Sequence, residues 1–101
     1  MVFAAVAHAD VACRAILDQS HLKVPMASED ADHIYYSAHS GADSFDATYH
    51  KTERFIYLQI LTGSRSTPTQ ISGTYVMNGG GLPATLSYTL GNKVLQFSCQ
   101  N

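Results

Sequence analysis

Ser28-Glu29-Asp30-Ala31-Asp32-His33-Ile34-Tyr35-Tyr36-Ser37-Ala38-His39-Ser40 is the stretch whose reading decides the fold class. Ser28 carries the hydroxyl of a helix N-cap, which accepts an otherwise unpaired backbone N–H. Glu29 and Asp30 place negative charge at the positive end of a helix dipole. Ala31, Ile34, Tyr35 and Ala38 then recur at i, i+3, i+4 and i+7, the spacing of one apolar helix face. Gly41 stands where a left-handed residue ends a helix. The stretch predicts a helix over Ser28–Ser40, and with it an α+β domain.

Upstream, Val11–Val24 supports two readings. Cys13, Ile16 and Leu17 fall at helical spacing, whereas Val11, Cys13, Ala15 and Leu17 alternate as in a strand. On the second reading Asp18-Gln19-Ser20 is the turn of a hairpin that returns through His21–Val24, and Pro25 ends either element. Downstream, Thr52–Thr62 alternates, with Arg54, Ile56, Leu58 and Ile60 on one face and Glu53, Phe55, Tyr57, Gln59 and Leu61 on the other. A Gly/Ser/Thr/Pro-rich loop, Gly63–Thr69, leads to a strand over Gln70–Asn78. Gly79-Gly80-Gly81 and Pro83 mark a turn, Ala84–Leu90 a third strand, Gly91-Asn92 a tight turn and Lys93–Cys99 a fourth. The expected architecture is a single helix packed on a four-stranded antiparallel sheet, preceded by an N-terminal hairpin.

The chain has 101 residues, room for one domain with one core. Six Lys+Arg against eight Asp+Glu leave it slightly acidic, without the basic footprint of a phosphate-binding surface. No apolar run approaches the roughly 18 residues that cross a bilayer as a helix, so no membrane partner is expected. Val2–Ala7 followed by Ala7-His8-Ala9 has the look of a signal remnant with a small-x-small cleavage site, or of an N-terminal extension, which leaves residues 10–101 as the domain. The two cysteines, Cys13 and Cys99, lie near opposite ends. Cysteine counting favours one bridge between them over two buried thiols, and such a bridge implies an oxidising compartment.

From Ala12 to Cys99 the order of elements resembles the small fungal guanyl-specific ribonucleases. The local echoes are Tyr49-His50-Lys51 after the helix, Phe55–Leu61 as the first long strand, Tyr75–Asn78, Leu82–Thr89 and Phe97-Ser98-Cys99. Those enzymes use a carboxylate base, an imidazole acid and an arginine that stabilises phosphorane charge. On that resemblance Tyr57 stands in the place of the catalytic glutamate, Thr74 near the arginine and Tyr88 in the place of the acid histidine. Only His50 is retained. A tyrosine whose pKa is near 10 is a poor acid or base at neutral pH, so the resemblance implies a degenerate cleft of His50, Glu53, Tyr57, Thr74 and Tyr88 with no catalytic residue.

Such loss resembles the secreted ribonuclease-like effectors of powdery mildews, although the aromatic that precedes their first cysteine is absent, since Val11-Ala12 stands there. The resemblance implies a secreted virulence protein delivered into host cells, and a monomer is the default expectation for its oligomeric state. The protein would act by binding host plant proteins, with weak RNA contact, and be open to recognition by an immune receptor. Two alternatives stand beside it. One is an active ribonuclease using His50 and Glu53, four residues before Tyr57 and on the same strand face. The other is a bacterial periplasmic inhibitor or immunity protein. The remaining histidines, His8, His21, His33 and His39, form no ligand spacing, and neither metal nor cofactor is expected. They read as structural or solvated, and Glu53 beside Arg54 reads first as a solvated charge pair. Six tyrosines without a tryptophan read first as sheet packing and second as a stacking or interaction surface.

Overall fold

The computed structural model describes residues 11–63, 66–77 and 84–100. Among them there is no helix, and the chain forms nine strands. They are β1 (Ala12–Leu17), β2 (Ser20–Val24), β3 (Met26–Glu29), β4 (His33–Ser40), β5 (Asp43–His50), β6 (Phe55–Gly63), β7 (Pro68–Val76), β8 (Ala84–Leu90) and β9 (Lys93–Gln100). All pairings are antiparallel, in a four-stranded sheet ordered β2-β1-β9-β8 and a five-stranded sheet ordered β3-β4-β5-β6-β7. Apart from β1 against β9, each strand pairs only with a neighbour in sequence. The chain is therefore an up-and-down meander that returns to its own first strand.

β2 and β3 are one extended run broken only at Pro25. β2 bonds to β1 in one sheet and β3 to β4 in the other. Pro25 has no N–H to offer a ladder, and its carbonyl accepts from the Ser37 N–H at 3.2 Å. The bend there carries the run from sheet to sheet and makes the corner of a flattened barrel. At the tip of the first hairpin, the Asp18 N–H donates to the Val94 carbonyl at 2.7 Å and the Asp18 carboxylate accepts from the Val94 N–H at 2.9 Å.

The inner faces meet in one core. Cys13, Ala15, Leu95, Phe97 and Cys99 from one sheet and Tyr36, Phe45, Ile56, Leu58 and Ile60 from the other are all buried. Phe45 and Phe97 touch edge to face across the gap, ring centres 5.7 Å apart. Burying one such side chain is worth about 2–3 kcal/mol, and the ring pair adds about 1 kcal/mol. Asp43 is buried beside this core. Its carboxylate accepts from the Thr62 hydroxyl and pairs at 3.0 Å with Lys93 of the facing sheet.

This architecture overturns the expected α+β domain with a single helix on a four-stranded sheet. Ser28–Ser40 is the end of β3, a turn and the whole of β4. The helical and strand periods share Ile34 and Ala38, and Tyr36 decides between them. It is buried, and its hydroxyl donates to the Val11 carbonyl at 2.9 Å. Ile, Tyr, His and Ser are indifferent helix formers that suit a pleated surface. β5 offers a matched alternation, Asp43, Phe45 and Ala47 inward, along the full register from His33↔His50 to Ser40↔Asp43. Ser28 caps no helix, and no helix dipole faces Asp30. Its carboxylate accepts from the N–H groups of Asp32 at 2.9 Å and His33 at 2.8 Å and so turns β3 into β4. Gly41 is left-handed (φ 63°), but in the two-residue hairpin turn between β4 and β5.

The last four strands are also divided differently from expectation, β6 and β7 in the five-stranded sheet and β8 and β9 in the other. The hairpin reading of Val11–Val24 is the one found, with β1 and β2 joined at Asp18-Gln19. The turn read at Gly79–Pro83, the leader-like Val2–Ala9 and His8 lie outside the described residues.

The Cys13–Cys99 disulfide is present and joins register partners on β1 and β9, the pair that closes the meander. With its ends separated by 86 positions in sequence, loop-entropy reasoning assigns it about 4–5 kcal/mol. A Cys13→Ala/Cys99→Ala variant is expected to lose about 2–5 kcal/mol in guanidinium unfolding. A loss below about 1 kcal/mol would mean that the core alone closes the barrel. Lys93→Met strips the buried Asp43 of its cation, and the ammonium's partial exposure holds the expected cost to about 1–3 kcal/mol. An unchanged midpoint would remove this pair from the account.

Candidate functional site

Because Ile34, Tyr36 and Ala38 point into the core, the alternate residues of β4 point away from it, and the pairing register extends this rule across the sheet. Register places His33, His50, Phe55 and Val76 in one row on the outer face, and Tyr35, Thr48, Tyr57 and Thr74 in the next. Ser37, Asp46, Gln59 and Ser72 follow, then His39, Ser44, Leu61 and Gln70. None of these sixteen positions is Lys or Arg.

The first row is a continuous line of rings. His33 meets His50 edge-on with centroids 4.6 Å apart, and His50 lies flat on Phe55 at 4.1 Å. Tyr35 stacks beside His33 at 5.8 Å. All of these rings are half-buried, and the row ends on Val76, which is 73% exposed. Polar groups flank the rings. The Ser37 hydroxyl donates to Asp46 at 2.7 Å and the Tyr57 hydroxyl to Gln59 at 3.3 Å.

Asp30 anchors the end of the row. Its carboxylate lies 3.1 Å from the His33 Nδ1 and accepts from the Tyr35 hydroxyl at 3.3 Å. The backbone N–H of Asp32, and after it the N–H and ring of His33, hold the Asp30 carboxyl below its ordinary value against the opposing effect of desolvation. Desolvation, and then the charge of Asp30, raise the Tyr35 hydroxyl. Lys51 donates to the Asp30 carbonyl at 2.9 Å and pairs with Glu29, fastening the β5–β6 turn to this corner.

Of the five cleft residues expected from the sequence, His50, Tyr57 and Thr74 share this face, with Tyr57 and Thr74 direct partners. Glu53 sits exposed in the β5–β6 turn and makes no hydrogen bond or ion pair with His50. Tyr88 lies in the other sheet opposite buried Leu95, packed against the core. One cleft through all five does not form. The sequence reading passed over His33, Tyr35 and Phe55 as site residues. The signal that finds them is the alternation of His33–His39 and Ser44–His50, which a helical reading of β4 hides. Among the described residues no cluster of three or more His, Cys, Asp or Glu is arranged to hold a metal ion, and no helix is long and apolar enough to cross a membrane. What the face offers is stacking area with hydroxyl, amide and carboxylate neighbours. No family model matches the chain, and no curated protein or solved structure matches it either.

Asp30 supplies a test of the corner's electrostatics. A carboxyl held below its ordinary value adds stability that is complete above that ordinary value and is lost as pH falls through the lower folded value. Asp30→Asn is expected to melt below the wild type at neutral pH, with the gap narrowing as the pH drops through the acid range. A gap independent of pH would show that the carboxylate's charge plays no part.

Proposed function

We propose that this is a secreted, non-catalytic binding protein whose outer five-stranded face takes a neutral carbohydrate. The observation that carries the reading is the row His33–His50–Phe55 with Tyr35 and Tyr57 beside it, partly exposed on a face that the core does not use. A pyranose ring has an apolar C–H face that lies on an aromatic ring, and hydroxyls that need donors and acceptors at its edge. Asp46, Gln59, Thr48 and Thr74 supply those groups in the adjoining positions. The absence of Lys and Arg from the sixteen positions disfavours a polyphosphate backbone, so weak RNA binding is a poorer fit than a neutral glycan.

Non-catalytic action rests on Glu53 making no hydrogen bond or ion pair with His50 and on Tyr88 lying in the other sheet, so the acid–base pairing that the ribonuclease resemblance would need is not formed. Secretion rests on the disulfide, which persists in oxidising compartments. The reading keeps the expectation of a secreted protein that works by binding and moves it to other residues. A glycan takes the place of a host plant protein or immune receptor as the first partner to test.

Affinity electrophoresis in gels containing neutral polysaccharides (cellulose derivatives, xylan, mixed-linkage glucan, soluble chitin) tests the proposal. At least one is expected to retard the protein. Tyr57→Ala, which removes a half-exposed ring, is expected to weaken that binding about tenfold, the equivalent of roughly 1.4 kcal/mol. No retardation by any neutral polymer, or an unchanged Tyr57→Ala variant, would end this reading.

A further inference from the structure

We infer that one end of the barrel is a second binding site, for a small amphipathic anion with an apolar body and a single carboxylate or sulfonate head. β1, β4 and β6 begin at this end and β2, β5 and β9 finish there. An open cleft of about 1070 Å³ lies at it, in the size range of sites for small organic molecules. Val24, Ile34, Tyr36 and Tyr49, which are buried in the core or packed against it, give the lining its apolar part. Its rim is cationic: Arg14, Lys23, Lys51 and Arg54 are four of the six Lys and Arg residues in a chain of net charge −2. The one acid in the lining, Glu29, is already paired with Lys51. Arg14, Lys23 and Arg54 have no ion-pair partner among the described residues.

Two features of this rim work against the stability of the free protein. Arg14 and Lys23 are direct partners across β1 and β2, where like charges repel. Their row continues through Ser98 to Thr85, so two cations and two hydroxyls lie abreast on adjacent strands. Arg54 holds a left-handed backbone at φ 60°, a conformation that suits Gly and strains a residue with a Cβ. Arg14 and Lys23 alternate with inward-facing Cys13 and Val24, so they line the cleft from the outer side of the four-stranded sheet, and an oxyanion held between them relieves their repulsion. The apolar part of the lining selects an anion that carries a hydrocarbon or aromatic body. The site uses neither the ring row nor the outer face, and it stands or falls independently of carbohydrate binding.

Titration calorimetry with decanoate, decanesulfonate, decanol and acetate, each below its aggregation limit, tests the site on the intact, oxidised protein. Decanoate and decanesulfonate are expected to bind at least tenfold more tightly than decanol, and acetate not measurably. Arg54→Gly relieves the backbone, so its fold is expected to persist with an equal or higher melting temperature, while the preference for decanoate over decanol falls at least threefold. Arg14→Ala/Lys23→Ala is expected to lower it similarly. Equal binding of decanol and decanoate, binding of neither, or an unchanged preference in both variants would overturn the proposal. So would binding confined to anionic lipid vesicles, because the cleft would then serve as a charged surface and not as a pocket.

Discussion

Everything in this molecule follows from the burial of one face, and only one, of each sheet. Phe45 against Phe97 fixes which face that is. Once those rings touch, period-two geometry assigns every neighbour on β5 and β9 to the inside or the outside. Through the cross-strand register the assignment passes from β4 to β7, and from β2 to β8. A one-residue slip on β5 would put Asp46 and His50 into the core and Phe45 into water. The Cys13–Cys99 bond and the Asp43–Lys93 pair hold the same arrangement from other directions, one along the seam of the meander and one between its sheets.

Much of the strand pattern is legible in the residues. Ile56, Leu58 and Ile60 alternate with polar and aromatic neighbours and are all buried. Ala84–Leu90 lies where the sequence places it, and so do the turn at Gly91-Asn92 and the bridge between the cysteines. The helix is the error, and its cause is physical. Over the eight residues of β4, a 3.6-residue and a 2-residue period both select Ile34 and Ala38, and only long-range pairing breaks the tie. β5 supplies that pairing, and its own alternation, Asp43-Ser44-Phe45-Asp46-Ala47-Thr48-Tyr49-His50, is disguised by the polar residues that fill its outer positions. The division of β6–β9 between two sheets was equally hidden, since local pattern says that a strand exists and not which sheet holds it.

The ring row was hidden for a related reason. His33 and His50 stand far apart in sequence; His33 alone reads as structural or solvated, and His50 reads as a cleft residue with other partners. They meet because the β4–β5 register makes them partners. Phe55 joins from β6 by the same rule. Below this row, at the same end of the barrel, lies the opening with its cationic rim. The two surfaces differ in chemistry, one ring-rich and without Lys or Arg among its sixteen positions, the other apolar with cations in its lining. That contrast separates two kinds of ligand on one small scaffold.

The central claim is that the outer five-stranded face is a binding surface, and chemical-shift mapping with a neutral oligosaccharide tests it most directly. The account predicts that aromatic and amide signals of His33, His50, Phe55, Tyr57 and Thr74 shift together with one saturation curve, while Tyr88 and the buried Phe97 stay still. Shifts centred on the four-stranded sheet, or none at saturating sugar, would contradict it.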